Sequence, residues 1–120
     1  MLKRFEFYAP QTILEASKLL KEKRDAKIMM GGTDLLILMS AGSIKPSAIV
    51  DLTKIDGLAS IDSFAYHYSI GAGVTHAALC EWASTRPTFR AFSDASSSVG
   101  TPQVRNVATV IGNLCNAVPS

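Results

Sequence analysis

Residues 28–38 read IMMGGTDLLIL, an apolar run broken by two adjacent glycines, a threonine and an aspartate. That order leaves few options. The apolar residues up to the glycines read as a buried strand, the glycines as a tight turn, and Thr33-Asp34 as the start of a helix. Gly31 and Gly32 can take positive φ and carry no Cβ. The amides of Gly31, Gly32, Thr33, Asp34 and Leu35 can therefore turn toward one point. A helix N-terminus adds partial positive charge there. The pattern suits an anion such as a pyrophosphate, with the Thr33 hydroxyl as one more donor. Asp34 would cap backbone amides or meet a ligand hydroxyl. A strand–helix turn with no ligand satisfies the same pattern.

The flanking sequence builds an α/β unit around this turn. FEFYAP, ending at Pro10, reads as a short strand. Residues 11–23 carry Ile13, Leu14, Ala16, Leu19 and Leu20 at helical spacing, with Thr12 as N-cap and Glu15 three residues on. Residues 26–30 read as a buried strand, residues 34–39 as a short apolar helix stopped by Ala41-Gly42-Ser43, and residues 47–52 as a second buried strand. Asp56-Gly57 is a turn, and a second unit follows. Residues 59–61 and 66–70 read as a strand pair around a break at Asp62-Ser63. Residues 75–83 form a helix capped by Thr75, and residues 89–97 a helix of mostly small residues. The remainder, VRNVATVIGNLCNAVPS, mixes β-branched residues with Gly, Asn and Pro. Within it residues 111–117, IGNLCNA, read as a loop that can expose amides and the Asn113 and Asn116 side chains to a polar ligand, a spacing that plain turns share.

Composition excludes several classes. The 120 residues are 48% apolar, enough for a core, and the formal charge is only +2. Without a Lys/Arg cluster beyond KEKR at residues 21–24, which reads as a solvated helix face, nucleic acid is not expected. MLKRFEFYAP has no apolar signal region, and no uncharged stretch is long enough to span a membrane. Cys80 and Cys115 stand far apart, which fits a reducing compartment and points to the cytoplasm. Cys115 reads as a small packed residue. His67 and His76 lack metal-ligand spacing and read as core or surface histidines. No P-loop is present. Residues 71–76, GAGVTH, begin like GxGxxG but place His76 at the third glycine, so Gly71 and Gly73 read as a strand-to-helix turn. Ser96-Ser97-Ser98 has no triad partner and reads as a helix end.

Two stretches together resemble one family. MMGGTDLLI resembles an AGGTDL loop, and VGTPQVRNVATVIGNLCNAVPS resembles QIRNxxTIGGNxCNAxPxAD. Both belong to the FAD-binding subunit or domain of molybdenum hydroxylases, of the xanthine dehydrogenase and carbon monoxide dehydrogenase type. The resemblance covers the whole chain. It implies an α+β, p-cresol-methylhydroxylase-like FAD-binding fold of two small α/β subdomains. The first would be residues 1–55. Residues 56–120 would be the N-terminal part of a second, truncated one. It implies that Met29, Met30, Gly31, Gly32, Thr33, Asp34 and Leu35 lie along the FAD pyrophosphate and that Val99 and Gly100 lie near the flavin. Thr109, Gly112, Asn113 and Asn116 would contact the phosphates or the ribityl chain. Gln103 and Arg105 would be structural, with a phosphate contact by Arg105 left open.

The activity implied is electron transfer within a hetero-oligomeric oxidoreductase. Electrons come from [2Fe–2S] clusters of a partner subunit and pass through FAD to NAD⁺ or another acceptor. Another subunit holds the molybdenum cofactor and oxidises the substrate, so this chain needs no catalytic residue or metal ligand of its own. Two departures stand out. Ile111 replaces the first glycine of the family's Gly-Gly-Asn, where it would narrow the site or turn into the core. The sequence also stops at Ser120, before the motif's aspartate, so the chain reads as the N-terminal portion of a longer subunit. A flavin-free assembly or binding module that keeps the fold is the alternative, and a small anion-binding α/β protein is a third reading.

Overall fold

The structure is a computed structural model and describes residues 4–116. Residues 1–3, at the start of the chain, and residues 117–120, the end of the second motif, lie outside the described residues. The chain divides into two compact units, Met1–Asp56 and Gly57–Ser120.

The first unit is built on a parallel sheet. Its elements are β1 (Glu6–Tyr8), α1 (Ile13–Glu22), β2 (Lys27–Met29), α2 (Leu35–Ser40) and β3 (Ala48–Asp51), and the strand order is β1-β3-β2. Strand β3 is central, pairing Phe7 with Ile49 on one side and Ile28 with Val50 on the other. A strand flanked on both edges and covered on both faces is a continuous apolar run. Accordingly Ala48, Ile49 and Val50 are at most 1% exposed. Burying Ile49 and Val50 is worth about 1.5–3 kcal/mol each. The expectation of a buried strand at residues 26–30 is corrected. Because β3 takes the centre, β2 pairs on one side only, and Ile28 is 52% exposed.

Helix α1 starts where its cap residues require. The Glu15 amide donates to Thr12 Oγ1, and the Glu15 carboxylate accepts from the Gln11 amide, both at 3.1 Å. The back-bond thus reaches one residue before the usual capping-box partner. Helix α2 ends in a Schellman motif. Gly42 has φ 76°, Ser43 N donates to Leu38 O, and Gly42 N donates to Met39 O. Asp25 accepts hydrogen bonds from the amide and hydroxyl of Ser47, fixing the entry to β3.

The second unit opens with an antiparallel pair, β4 (Ile61–Ser63) and β5 (Tyr68–Ile70). Asp62 and Ser63 are paired with Ser69 and Tyr68, so the break expected there is absent. The chain turns at Phe64–His67 instead, closed by Phe64 N donating to His67 O and by stacking of the two rings. Polar residues on an exposed strand had looked like an interruption. Helices α3 (His76–Ser84) and α4 (Arg90–Ser97) pack together, α4 being led in by a 3₁₀ turn at Pro87–Phe89. Leu79, Ala83 and Ser96 are buried on these two helices. Then come α5 (Pro102–Arg105) and α6 (Val110–Asn116). The loop expected at residues 111–116 is therefore a helix, for reasons found at its first turn. No helix among the described residues is long and apolar enough to cross a membrane.

Candidate functional site

In the first unit the seven residues expected at the cofactor form the end of β2, the following turn and the first residue of α2. Gly32 has φ 73°, and a Cβ there would sit 3.1 Å from Met29 Sδ and 3.3 Å from Leu36 Cδ1. Gly31 is not among the positive-φ glycines, so only one of the pair uses that freedom. Leu36 N donates to Gly32 O and Leu38 N to Asp34 O, which starts the helix. The amides of Gly31, Gly32, Thr33 and Leu35 donate to no backbone carbonyl of the described residues. Met29, Met30, Gly31, Gly32, Thr33 and Leu35 are half-buried, and Asp34 is exposed. Asp34 occupies the N-cap position in α conformation and makes no side-chain cap bond, which corrects the capping role expected of it. A side chain caps from an extended backbone, where its oxygen can swing over the first turn.

In the second unit the amides of Gly71 and Gly73 are both engaged within the unit. Gly71 N donates to Ser60 O and Gly73 N to Leu58 O. A Cβ on Gly71 would lie 2.1 Å from Leu58 O, so the glycine is there for close approach of backbone.

Helices α3 and α6 start side by side. Thr75 and Thr109, preceding them, form an antiparallel bridge. His76 N donates to Ala108 O at 3.0 Å, and Val110 N donates to Val74 O at 3.1 Å. Thr75 Oγ1 accepts from Ala78 N, and Thr109 Oγ1 from Gly112 N. Thr109 is buried, so its hydroxyl is first a helix cap. A Cβ on Gly112 would stand 2.6 Å from that hydroxyl, which explains a glycine within the first turn. Thr109, Gly112, Asn113 and Asn116 recur at three- and four-residue intervals and so share one side of α6. Ile111 is half-buried and Cys115 exposed, so the packed role expected for Cys115 is corrected.

Sequence reasoning missed His76 as a member of this group. Its Nε2 lies 3.0 Å from Asn113 Nδ2, and the residue is 6% exposed. Burial holds the imidazole below its ordinary pKa of 6.5, favouring the neutral ring. With Nε2 accepting from Asn113, the proton sits on Nδ1. Nδ1 is buried with no hydrogen-bond partner among the described residues. An orphan of this kind costs about 1–3 kcal/mol. The one legible signal was the place of His76 directly after a capping threonine.

Val99 and Gly100 lie on the turn between α4 and α5. Gly100 has φ 47°, with Val104 side-chain carbons 3.2 Å from where its Cβ would be. The Arg105 guanidinium donates to Val99 O at 3.0 Å and to Gly100 O at 3.1 Å. Arg105 is thus the clamp of that turn.

Comparison with known proteins places these motifs. Residues 3–120 match the family described as "FAD binding domain in molybdopterin dehydrogenase". The chain belongs to that family. It is 38% identical to the nicotinate dehydrogenase FAD-subunit of Eubacterium barkeri, covering 94% of this chain and 39% of that one. It is 35% identical to the xanthine dehydrogenase FAD-binding subunit of Escherichia coli O157:H7, with 95% and 39% covered. Among solved structures, a chain of the Cu,Mo-CO dehydrogenase superposes with a TM-score of 0.90 at 28% identity, over 97% of this chain and 41% of that one. A chain of quinoline 2-oxidoreductase from Pseudomonas putida 86 gives 0.85 at 31% identity, over 95% and 40%. These likenesses give the α+β FAD-binding fold. The chain spans about two fifths of the length of these relatives.

Each unit by itself carries groups suited to the polar part of a dinucleotide cofactor. In the first, half-buried amides of the Gly32 turn donate to no backbone carbonyl among the described residues. In the second, one side of α6 carries the uncharged carboxamides of Asn113 and Asn116.

Proposed function

We propose that this chain is the cofactor-holding part of the electron-transfer subunit of a molybdenum hydroxylase. The subunit takes electrons from [2Fe–2S] clusters of one partner subunit, while another partner carries the molybdenum cofactor and oxidises the organic substrate. NAD⁺ or another oxidant is the final acceptor. The hetero-oligomeric complex works in the cytoplasm. The observation that carries the reading is the family match over residues 3–120.

Bound FAD supplies the electron-carrying chemistry, and the protein supplies binding and orientation. In this reading the amides of Gly31, Gly32, Thr33 and Leu35 meet the pyrophosphate, with Met29 and Met30 as an apolar wall and the Asp34 carboxylate turned from the phosphates. Val99 and Gly100 form a rigid edge near the flavin, because Arg105 holds both carbonyls. Gly112, Asn113 and Asn116 meet the polar part of the cofactor, and Thr109 keeps an O–H to donate while its oxygen caps α6. Residues 1–55 and 56–120 are then two subdomains of one cofactor-binding domain.

The test is the visible absorbance of the purified full-length protein, with mass analysis of the ligand released on denaturation. An oxidised-flavin spectrum with released FAD is expected, and Gly32→Val is expected to lose the colour while keeping its circular dichroism. A colourless protein that added FAD does not convert would replace this reading with an assembly module. Full flavin occupancy in Gly32→Val would reduce the turn to a connector.

A further inference from the structure

We infer that His76 is a positioning residue for the cofactor, acting through the Asn113 carboxamide. The inference rests on the proposed contact between Asn113 and FAD, and goes beyond it in naming what holds that contact. A carboxamide is rotatable, and its two ends have opposite hydrogen-bonding character. Left to solvent, Asn113 would present its oxygen or its nitrogen to a ligand with little preference. Here its Nδ2 is 3.0 Å from His76 Nε2. A neutral imidazole accepting at Nε2 requires Asn113 to donate there. That leaves Oδ1 as the acceptor available to a ligand and fixes the rotation of the group.

Three further observations support a positioning role. His76 is the first residue of α3, and its backbone amide is bonded to Ala108 O, so the ring is anchored directly beside the start of α6. It is 94% buried, taking its 6% exposure from the whole, so solvent does not compete for Nε2. Its Nδ1 is left unpartnered among the described residues. A histidine placed only for packing would be better replaced by an apolar side chain of similar size, which leaves no nitrogen orphaned. Among the described residues the imidazole makes one hydrogen bond, and that bond is to Asn113. Burial, which favours the neutral ring, supports the same polarity.

The test uses the full-length protein stripped of flavin and titrated with FAD, with binding read by quenching of flavin fluorescence. His76→Leu removes the acceptor. His76→Gln puts an amide oxygen near the place of Nε2. Asn113→Ala and the His76→Leu/Asn113→Ala double variant complete the cycle. Circular dichroism and thermal midpoints of the stripped proteins report folding separately.

His76→Leu is expected to weaken FAD binding about tenfold, the scale of one well-placed hydrogen bond. His76→Gln should recover most of that loss. The double variant should bind like Asn113→Ala alone. Where His76→Leu does not fold, His76→Gln with unaltered affinity, set against weakened binding by His76→Ala, is the corresponding support. Wild-type affinity in a folded His76→Leu variant would overturn the inference, as would losses that multiply in the double variant. If the wild-type protein binds FAD and Asn113→Ala binds equally well, the Asn113 contact fails and takes the inference with it. If the wild-type protein binds no FAD, the flavin reading itself has failed.

Discussion

A methyl group on Gly112 would lie 2.6 Å from Thr109 Oγ1, well inside contact distance. Helix propensity alone favours Ala over Gly by about 1 kcal/mol. At this position the Thr109 hydroxyl would have to rotate away from the Gly112 amide, giving up the cap, worth about 0.5–2 kcal/mol, inside a buried site. Gly112→Ala is therefore expected not to show the stabilisation that its better propensity promises, and to destabilise by up to about 1 kcal/mol, measured by urea denaturation. His76 gives a second expectation at this scale. Its folded pKa lies below the ordinary 6.5 because of burial. The unfolded chain then binds the extra proton first. Stability is full above about pH 6.5 and falls as pH drops from there through the folded pKa, by at most about 1.4 kcal/mol per pH unit. His76→Gln should flatten that slope in thermal midpoints taken from about pH 5 to 7.5. Neither effect was readable in the sequence. The spacing from Thr109 to Gly112 means a cap only once a helix is known to start there, and the His76–Asn113 pair joins residues 37 positions apart.

At the scale of elements, threonine does the same work repeatedly. Thr12, Thr75, Thr101 and Thr109 each accept a hydrogen bond from the amide three residues on, opening α1, α3, α5 and α6. The first two helices were legible, because apolar spacing followed the cap. The last two were hidden. Pro102 and the β-branched Val110-Ile111 follow their caps, with Gly112 behind, and all of these read as loop or strand. The capping bond and the bridge to Thr75 outweigh those local preferences. The strands divide the same way. Both apolar runs read as buried strands; the one at residues 48–50 is buried, at the centre of the sheet, whereas β2 is an edge, because pairing order is not written in any one segment. Thr12→Ala and Thr109→Ala should each cost about 1 kcal/mol in thermal or chemical denaturation. Thr109→Ala should also lower FAD affinity, since Asn113 sits one turn from that cap, while Thr12→Ala should leave it unchanged.

For the molecule as a whole, the boundary after Asp56 is the feature to test. Asp56 and Gly57 are both exposed, and Gly57 has φ 83°. Limited proteolysis of the full-length protein is expected to nick near this turn before cutting β3 or α3, with mass spectrometry locating the cut. Earlier cleavage within residues 48–51 would contradict the partition. The first unit also has a history implied by its sheet. Within the sheet, strands β1 and β2 each pair with β3 and not with each other, and β3 is last of the three in the chain. On the ribosome, the N-terminal residues would emerge with two strands that have no hydrogen-bonding partner, and the sheet would close only when residue 51 clears the exit tunnel. Until then the half-finished unit shows open strand edges to its surroundings, so its vulnerable interval is the time residues 30–51 take to leave the tunnel.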